Sequence, residues 1–351
     1  MKVDFIIVGQ RLAGTLLAFE LLRLNKSFLV FDDPLYTSAS SVAAGVINPV
    51  VFRRMTKSWL VDAAFPRMET TYKEMEDLLN ENLYHPCPIL KILDEGGAPI
   101  WKKKVGANQL EEYVEAEPTL TIRHKNIHSP FGIARVTKAG RVDIQKLITS
   151  FSVFLEQHNQ LCKVKFNFNQ LIVNRKSVSY EDVTAQKIIF CEGSAASQNP
   201  FFSHLKFKHS KGELLEIRIP DIDVNEILSH DVFLIPLGDD RYKVGSTYDW
   251  DELSRKITPE AREKLLAKLK TYVSAPIEVM DQKAGMRPTM HDRKPVVGIL
   301  PDYPQIGILN GLGSKGALPG TYFARQLAEY LAGSSAIIHP EVNVDRFFLK
   351  R

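Results

Sequence analysis

The chain has 351 residues, of which 44% are hydrophobic and 25% charged, and its formal net charge is +4. This balance is typical of a soluble globular protein and excludes disordered, collagen-like and coiled-coil chains. At about 150 residues per domain, the length favours two domains. The positive excess permits an anionic ligand, but it is too small to indicate a nucleic-acid partner by itself.

The three cysteines, Cys87, Cys162 and Cys191, are widely spaced. They form neither a disulfide framework nor a metal-site pattern, so we predict reduced thiols in a cytoplasmic protein without a metal site. The longest apolar runs, such as residues 5–9 and 296–300, are far shorter than the ~18 residues that a membrane span requires. The start of the chain also lacks the pattern of a signal peptide.

The first 33 residues predict a strand–helix–strand unit. Residues 3–8 are almost all apolar, as in a parallel strand that is buried on both faces. Residues 12–24 predict a deeply packed helix, because charges are few on any of its sides. Residues 27–31 predict a second buried strand, which ends at Asp32 and Asp33.

The remainder of the chain predicts more helices and strands, separated by polar segments. Helices are expected at residues 59–81, 140–157, 257–274 and 318–332, and strands at residues 163–178 and 188–191. Residues 211–247 alternate between apolar and polar positions, which predicts an antiparallel sheet in a second domain.

The turn at residues 9–14 reads GQRLAG. In a dinucleotide-binding turn the first glycine makes the bend, the last allows close helix packing, and the helix N-terminus attracts a pyrophosphate. Asp32 follows Gly9 by 23 residues, where an acid accepts ribose hydroxyls. Arg11 replaces the middle glycine, so its side chain must either point away or pair with a phosphate oxygen. A strand–helix–strand unit without a ligand is the alternative.

Four further segments, in the same order along the chain, resemble the FAD-dependent family that includes D-amino-acid oxidase, glycine oxidase and sarcosine oxidase. They are SSVAAGVINP at residues 40–49, AGRVD at 139–143, IIFCEG at 188–193 and GMRPTMHDRKPVVG at 285–298. In that family the first segment runs beneath the flavin, and the third re-enters the cofactor domain.

The resemblance implies an α/β protein in which a Rossmann-like FAD-binding domain joins a mixed, largely antiparallel α+β substrate domain. We expect a discontinuous FAD domain at residues 1–49, 138–205 and 284–351, and a substrate domain at residues 50–137 and 206–283. FAD is expected to be non-covalent. Some relatives attach the flavin to a cysteine or histidine, and neither residues 40–41 nor the 285–298 block has one at the matching attachment position. The expected FAD contacts are Gly9, Arg11, Leu12, Ala13, Gly14, Asp32, Asp33, Ser41, Ala44, Gly45, Val46, Cys191, Glu192, Gly193, Arg287, Gly311, Gly313, Ser314, Lys315 and Gly316.

The resemblance also implies a reaction: oxidation of the C–N bond of a small amine or amino acid, with hydride transfer to flavin N5. Arg287 matches the arginine that holds a substrate carboxylate, for which a planar guanidinium is well suited; an ion pair with an acid such as Asp292 is the alternative. Lys315, in the loop at residues 310–316, either stabilises the reduced flavin or faces solvent. Tyr248 either contacts the substrate or packs in a sheet.

Two other functions remain open. The loop at residues 310–316 is also similar to that of the FAD-dependent oxidoreductase domain that modifies the wobble uridine of bacterial tRNA, so a modified tRNA base is an alternative substrate. Arg11 leaves open a non-catalytic flavoprotein. The basic residues 53–54 and 102–104 are interpreted as solvated faces, and His230 as an ordinary surface or core histidine, without partners at metal-site spacing.

Overall fold

The computed structural model describes residues 1–36, 38–119, 125–220 and 222–348. The described strands are β1 (Lys2–Val8), β2 (Phe28–Phe31), β3 (Val46–Ile47), β4 (Val50–Val51), β5 (Thr56–Lys57), β6 (Tyr84–Pro86), β7 (Ile89–Ile92), β8 (Ile133–Val136), β9 (Gly140–Val142), β10 (Leu161–Cys162), β11 (Ile172–Val173), β12 (Val178–Tyr180), β13 (Val183–Phe190), β14 (Ser210–Arg218), β15 (Ile227–Ser229), β16 (Phe233–Gly238), β17 (Arg241–Gly245), β18 (Glu278–Arg287), β19 (Val296–Leu300) and β20 (Tyr303–Asn310). The described helices are α1 (Leu12–Arg23), α2 (Val61–Leu79), α3 (Gly97–Ala107), α4 (Ile144–Gln157), α5 (Pro259–Lys270) and α6 (Pro319–Leu331), with 3-10 turns at Ala39–Ser41, Phe168–Gln170, Gly193–Gln198 and Val344–Phe347.

The first sheet is built around β1, which pairs in parallel with β2 on one side and β13 on the other. Strand β10 extends the sheet beyond β2. On the far side of β13, β12 pairs antiparallel with its first half and β20 pairs in parallel with its second half. The strands β11 and β19 lie at the outer edges. This is the doubly wound arrangement expected of a dinucleotide-binding domain.

Three of the four central parallel strands end at the same level, and the fourth, β20, continues two residues further to Asn310. Val8 is level with Phe31 and with Phe190, and Phe190 is level with Ile308. The residues that follow the four strands therefore lie along one edge of the sheet, where ligands bind in such folds. These residues are Gly9, Asp32, Cys191 and Gly311.

The predicted strand–helix–strand unit at the N-terminus is confirmed. The side chains of β2, and most of those of β1, are buried because α1 covers one face of the sheet and an aromatic cluster covers the other. In that cluster Phe31, Phe166, Tyr180 and Phe190 have neighbouring ring centroids 4.1–6.2 Å apart. α1 packs in turn against α6, and the two helices meet where Gly320 faces Leu16.

The second sheet has the strand order β18-β14-β17-β16-β15-β7-β8. All neighbours are antiparallel except β15 and β7. This confirms the antiparallel sheet expected from residues 211–247, and it adds β7, β8 and β18 from outside that range. Strand β18 crosses the expected domain boundary between residues 283 and 284, and it carries Arg287 at its end.

The strand expected at residues 188–191 begins earlier, at Val183, and two other expected elements differ more strongly from the structure. The helix expected at residues 140–157 begins only at Ile144, because β9 occupies Gly140–Val142 and the Asp143 carboxylate then accepts a hydrogen bond from Lys146 N at 3.0 Å. Residues 163–178, expected to be strand, contain β11 and a 3-10 turn within irregular backbone. Their apolar positions pack Phe166 and Phe168 against the first sheet without forming a continuous strand.

Within the part of the chain that the structure describes, no helix combines the length and the apolar composition that crossing a bilayer would demand.

Candidate active site

The β1–α1 turn brings three backbones close together. Gly9 has φ +98°, and a Cβ added there would lie 2.7 Å from the carbonyl oxygen of Cys191. A Cβ on Gly14 would overlap the carbonyl oxygen of Gly9. Both positions therefore need glycine, which agrees with the packing roles expected of the first and last glycines of the turn.

The N-terminus of α1 is only partly capped. The N-cap residue Arg11 makes no capping hydrogen bond with its side chain, but Leu12 N donates to Ser40 Oγ at 3.4 Å. The first N–H groups of a helix have no partners inside the helix, and the helix dipole makes this end positive. With Ala13 partly exposed beside it, this turn can receive a diphosphate.

The acidic residues after β2 are already engaged. Asp32 accepts a hydrogen bond from Gln10 N through Oδ1 at 2.8 Å, and its Oδ2 lies 3.2 Å from Nη2 of Arg11. Burial raises the pKa of Asp32, while the Gln10 amide and the charge of Arg11 oppose that rise. The Asp33 side chain accepts from Leu35 N at 2.9 Å and so shapes the loop.

The end of β13 forms another wall of this site. Cys191 is buried, and burial raises the pKa of its thiol. Burial also raises the pKa of Glu192 to about 7, although Oε2 of this carboxyl accepts a hydrogen bond from Asn199 Nδ2 at 2.7 Å. Gly193 has φ +60°, and its carbonyl accepts from Asn310 Nδ2 at 2.9 Å.

The small-residue stretch runs between the two sheets. Ser41 donates to the carbonyl of Ser38, and Gly45, at φ +69°, accepts a hydrogen bond from Val142 N at 2.9 Å. A Cβ on Gly285 would lie 3.2 Å from Cα of Ala39, so this stretch lies directly against β18. Ala44 and Val46 are partly buried within it.

The loop after β20 lies beside Arg287. Gly311 and Gly313 have φ values of +74° and +58°, which fit glycine, and Gly313 N donates to the carbonyl of Pro288 at 3.0 Å. Ser314 is exposed, whereas Gly316 is buried near Leu12 of α1. The loop therefore connects the start of α1 with the end of β18.

Lys315 extends from this loop towards the hairpin formed by β4 and β5. Its side chain is exposed along part of its length, but Nζ donates to the buried Ser58 Oγ at 2.7 Å. Desolvation, with a smaller contribution from the positive charge of Arg54, lowers the pKa of Lys315 to about 8. Lys315 is thus exposed to solvent along its chain while its ammonium contacts the β4–β5 hairpin.

Arg287 is braced by the second sheet. Its Nη1 donates to Lys211 O at 3.0 Å, and its Nη2 donates to Ser246 Oγ at 2.7 Å and to Thr247 O at 3.0 Å. The guanidinium carbon lies 4.1 Å from the ring centroid of Tyr248. The expected alternative partner, Asp292, pairs instead with Arg346 at 3.2 Å.

Tyr248 lies beyond the end of β17 and is 49% exposed, so it is not packed within the sheet. It stacks on Trp250 with a centroid distance of 5.8 Å. Through Arg287, this exposed pair is connected to the end of β18.

Sequence reasoning missed the contribution of the β4–β5 hairpin. Ser58 holds the lysine Nζ and the charge of Arg54 acts on Lys315, while Arg53 and Arg54 are themselves exposed, as expected of a solvated face. The available signal was their position, a few residues after the small-residue stretch at 40–49. Within the described residues, no group of His, Cys, Asp and Glu side chains is arranged to hold a metal ion.

The edge of the first sheet fits the adenosine diphosphate part of FAD in three respects and resists it in one. The helix start suits the diphosphate, Gly9 and Gly14 permit close packing, and Asp32 can accept ribose hydroxyls. Arg11 already occupies the Asp32 carboxylate, so the ribose has to share or displace it.

Comparisons with known proteins agree with this architecture. The family model described as "FAD dependent oxidoreductase" (DAO) matches residues 4–330. An uncharacterized oxidoreductase, YurR, from Bacillus subtilis (strain 168) is 21% identical over 363 aligned positions, which cover 94% of this chain and 95% of that relative.

Solved structures share the fold at low sequence identity. Glycine oxidase from Geobacillus kaustophilus superposes with a TM-score of 0.79 at 16% identity, covering 98% of this chain and 99% of the other. Iminodiacetate oxidase from Chelativorans sp. BNC1 gives a TM-score of 0.79 at 18% identity, with 97% and 98% coverage. The expected fold class and family are confirmed: the chain belongs to the DAO family of FAD-dependent oxidoreductases, an enzyme family whose cofactor is FAD.

Proposed function

We propose that this oxidoreductase oxidises the C–N bond of a small amine that carries a carboxylate, such as an amino acid. The observation that carries the proposal is the Lys315 ammonium, which donates to Ser58 Oγ at 2.7 Å and for which the described residues provide no carboxylate partner; the positive charge of the exposed Arg54 also acts on it. An anionic group that binds Lys315 would offset the repulsion between the two cations. Amine oxidation is supported by the fold, which is shared with glycine oxidase and iminodiacetate oxidase.

Arg287 remains a proposed second contact for the carboxylate. A guanidinium has five N–H donors, and three hydrogen bonds to the protein leave two of them. A carboxylate can bind an arginine through two hydrogen bonds either at Nε and Nη2 or at Nη1 and Nη2. Both arrangements need Nη2, whose two hydrogens are already donated to Ser246 and Thr247. A carboxylate therefore meets Arg287 through single hydrogen bonds, unless Ser246 Oγ is displaced.

The protein's contribution to the reaction is positioning. FAD, when bound, supplies the acceptor for the hydride that leaves the α carbon as the C–N bond becomes the C=N bond of an imine. Lys315, Arg54 and Arg287 would fix the carboxylate, and the substrate amine must be neutral when its α carbon gives up hydride. The imine so formed hydrolyses in water and requires no dedicated protein base. We further propose a cytoplasmic location, in keeping with the three free cysteines.

The experiment is an anaerobic titration of the FAD-loaded protein with glycine, D-amino acids and N-methylated amino acids, followed by loss of the flavin's visible absorbance. The proposal expects rapid bleaching by at least one of these compounds. No bleaching by any of them, while dithionite reduces the same sample, would contradict it. A parallel sample with tRNA tests the alternative substrate, since such binding would weaken steeply with salt.

Variants locate the carboxylate site. Lys315→Met and Arg54→Gln should each raise KM for the substrate that bleaches, and have less effect on its decarboxylated amine. Lys146→Met, which removes a surface lysine paired with Glu81, is the matched control and should leave KM unchanged. Equal effects on the acid and the amine would exclude Lys315 and Arg54 as carboxylate contacts.

A further inference from the structure

Arg11 fills the place that a dinucleotide turn usually leaves open. Its backbone is extended, with φ −91° and ψ −166°, so an L-residue adopts this conformation without strain. The side chain crosses from the start of α1 to the loop after β2. There Nη2 lies 3.2 Å from Asp32 Oδ2, 3.2 Å from Asp33 O and 3.0 Å from Tyr36 O. Three acceptors on one loop therefore hold the guanidinium.

These contacts use the atoms that a ribose needs. Asp32 has two carboxylate oxygens; Gln10 N donates to one and Arg11 lies on the other. The pair is well shielded, with side-chain exposures of 24% for Arg11 and 12% for Asp32. A ribose hydroxyl that donates to Asp32 must compete with a partly buried, charge-assisted contact.

A second contact, made by Tyr36, lies at the same end of the sheet. Tyr36, whose carbonyl accepts from Arg11, places its hydroxyl 2.7 Å from Ser194 Oγ. Ser194 belongs to the turn after β13, whereas Tyr36 belongs to the loop after β2, so this bond spans the end of β1 between them. The guanidinium carbon of Arg255 lies 4.2 Å from the Tyr36 ring centroid and covers it.

We propose that Arg11 and Tyr36 form a latch across the adenosine end of the FAD site. The latch holds Asp32 and joins the loops after β2 and β13, so an adenine nucleotide that binds Asp32 has to share this carboxylate with Arg11 or open the latch. It thereby stabilises the chain without its cofactor and lowers the affinity for any ligand that carries an adenosine diphosphate. This role concerns cofactor loading and is independent of the substrate proposed above.

The test compares nucleotide affinity and stability in the same variants. Arg11→Ala should bind ADP about tenfold more tightly than the wild type, measured by calorimetry, because a charge-assisted contact no longer competes for Asp32. FAD affinity, followed by flavin fluorescence, should rise by the same factor, since the latch acts on the shared adenosine diphosphate. The same variant without nucleotide should melt at a lower temperature. Arg23→Ala, which removes an arginine paired with Glu20 and Glu74 at the other end of α1, should lower the melting temperature and leave ADP affinity unchanged.

Tyr36→Phe keeps the proposal testable if Arg11→Ala does not fold. It removes only the hydroxyl that bonds Ser194, and it should make FAD association faster in stopped-flow fluorescence. Weaker or unchanged ADP binding by Arg11→Ala would overturn the latch and would assign Arg11 either to the diphosphate or to a purely structural role. Unchanged FAD association in Tyr36→Phe would also overturn it.

Discussion

At the scale of single residues, the lowered pKa of Lys315 can be tested directly through the pH dependence of substrate binding. Its pKa of about 8 is lowered, so the ammonium is charged below that pH and neutral above it. If Lys315 holds a carboxylate, KM for an amino-acid substrate should rise by up to about tenfold per pH unit above pH 8. The pH dependence of KM in the wild type measures this directly.

Lys315→Arg separates this effect from titration of the substrate amine. An arginine stays charged throughout the accessible pH range, so the variant should lose the rise while the substrate's own titration remains. If KM rises equally with pH in both proteins, titration of Lys315 does not cause the rise.

Glu192 should make stability depend on pH in the opposite sense to most carboxylates. Its folded pKa of about 7 lies above its ordinary value of 4.5, so the folded state retains the proton and stability falls as pH increases between these two values. Urea unfolding without FAD should show the wild type losing about 2 kcal/mol more than Glu192→Gln over this range, allowing for partial exposure of the carboxyl. Parallel pH profiles for the two proteins would contradict this assignment.

The sequence located the charged residues better than it located their partners. Asp32 and Arg11 were both singled out, but the carbonyls of Asp33 and Tyr36 that hold the guanidinium belong to an irregular loop without a periodic signal. The alternative that Arg287 pairs with Asp292 was wrong, because that carboxylate is taken by Arg346, which follows Asp292 by 54 residues. Contacts of this kind depend on the tertiary fold.

At the scale of elements, the pairing of β14 with β18 sets the position of Arg287. Gly212 is level with Gly285 in this pair, and a Cβ on Gly212 would overlap the Arg287 guanidinium. Gly212→Ala should therefore displace the arginine from its three acceptors and lower the free energy of unfolding by about 2 kcal/mol. Urea unfolding measures the loss.

The control for this substitution is another glycine-to-alanine change. Gly106 lies in α3, where the nearest atom to an added Cβ is Glu111 Oε1 at 3.8 Å, so alanine fits and should stabilise the chain by up to about 1 kcal/mol. If Gly212→Ala behaved like Gly106→Ala, Arg287 would not be braced as described.

Elements with a continuous apolar pattern were predictable, and elements defined by pairing were not. β1, α1 and β2 bury nearly every side chain, so their sequence carries the signal alone. The short strand β9 is defined by its pairing with β3 and β6, in which Arg141 is level with Val46 and with His85. A segment of three residues is too short to show a periodic pattern in the sequence. The helix expected from residue 140 begins only at Ile144, because β9 precedes the Asp143 cap.

At the scale of the whole molecule, the site lies where the two sheets meet. Gly313 N bonds Pro288 O just after β18, and Gly285 faces Ala39, so the end of the second sheet is held against the cofactor edge of the first. Composition and periodicity predict the two sheets separately but not their contact, which depends on the tertiary fold. The domain boundaries in the sequence remain a prediction.

The most direct test of the account is whether the whole chain binds one FAD and is stabilised by it. Calorimetric titration should give one FAD per chain, and at a free FAD concentration a hundredfold above Kd the free energy of unfolding should increase by about 2.7 kcal/mol. A chain that takes up no FAD, and whose melting temperature does not change with added FAD, would contradict the assignment of the β1–α1 edge as a cofactor site.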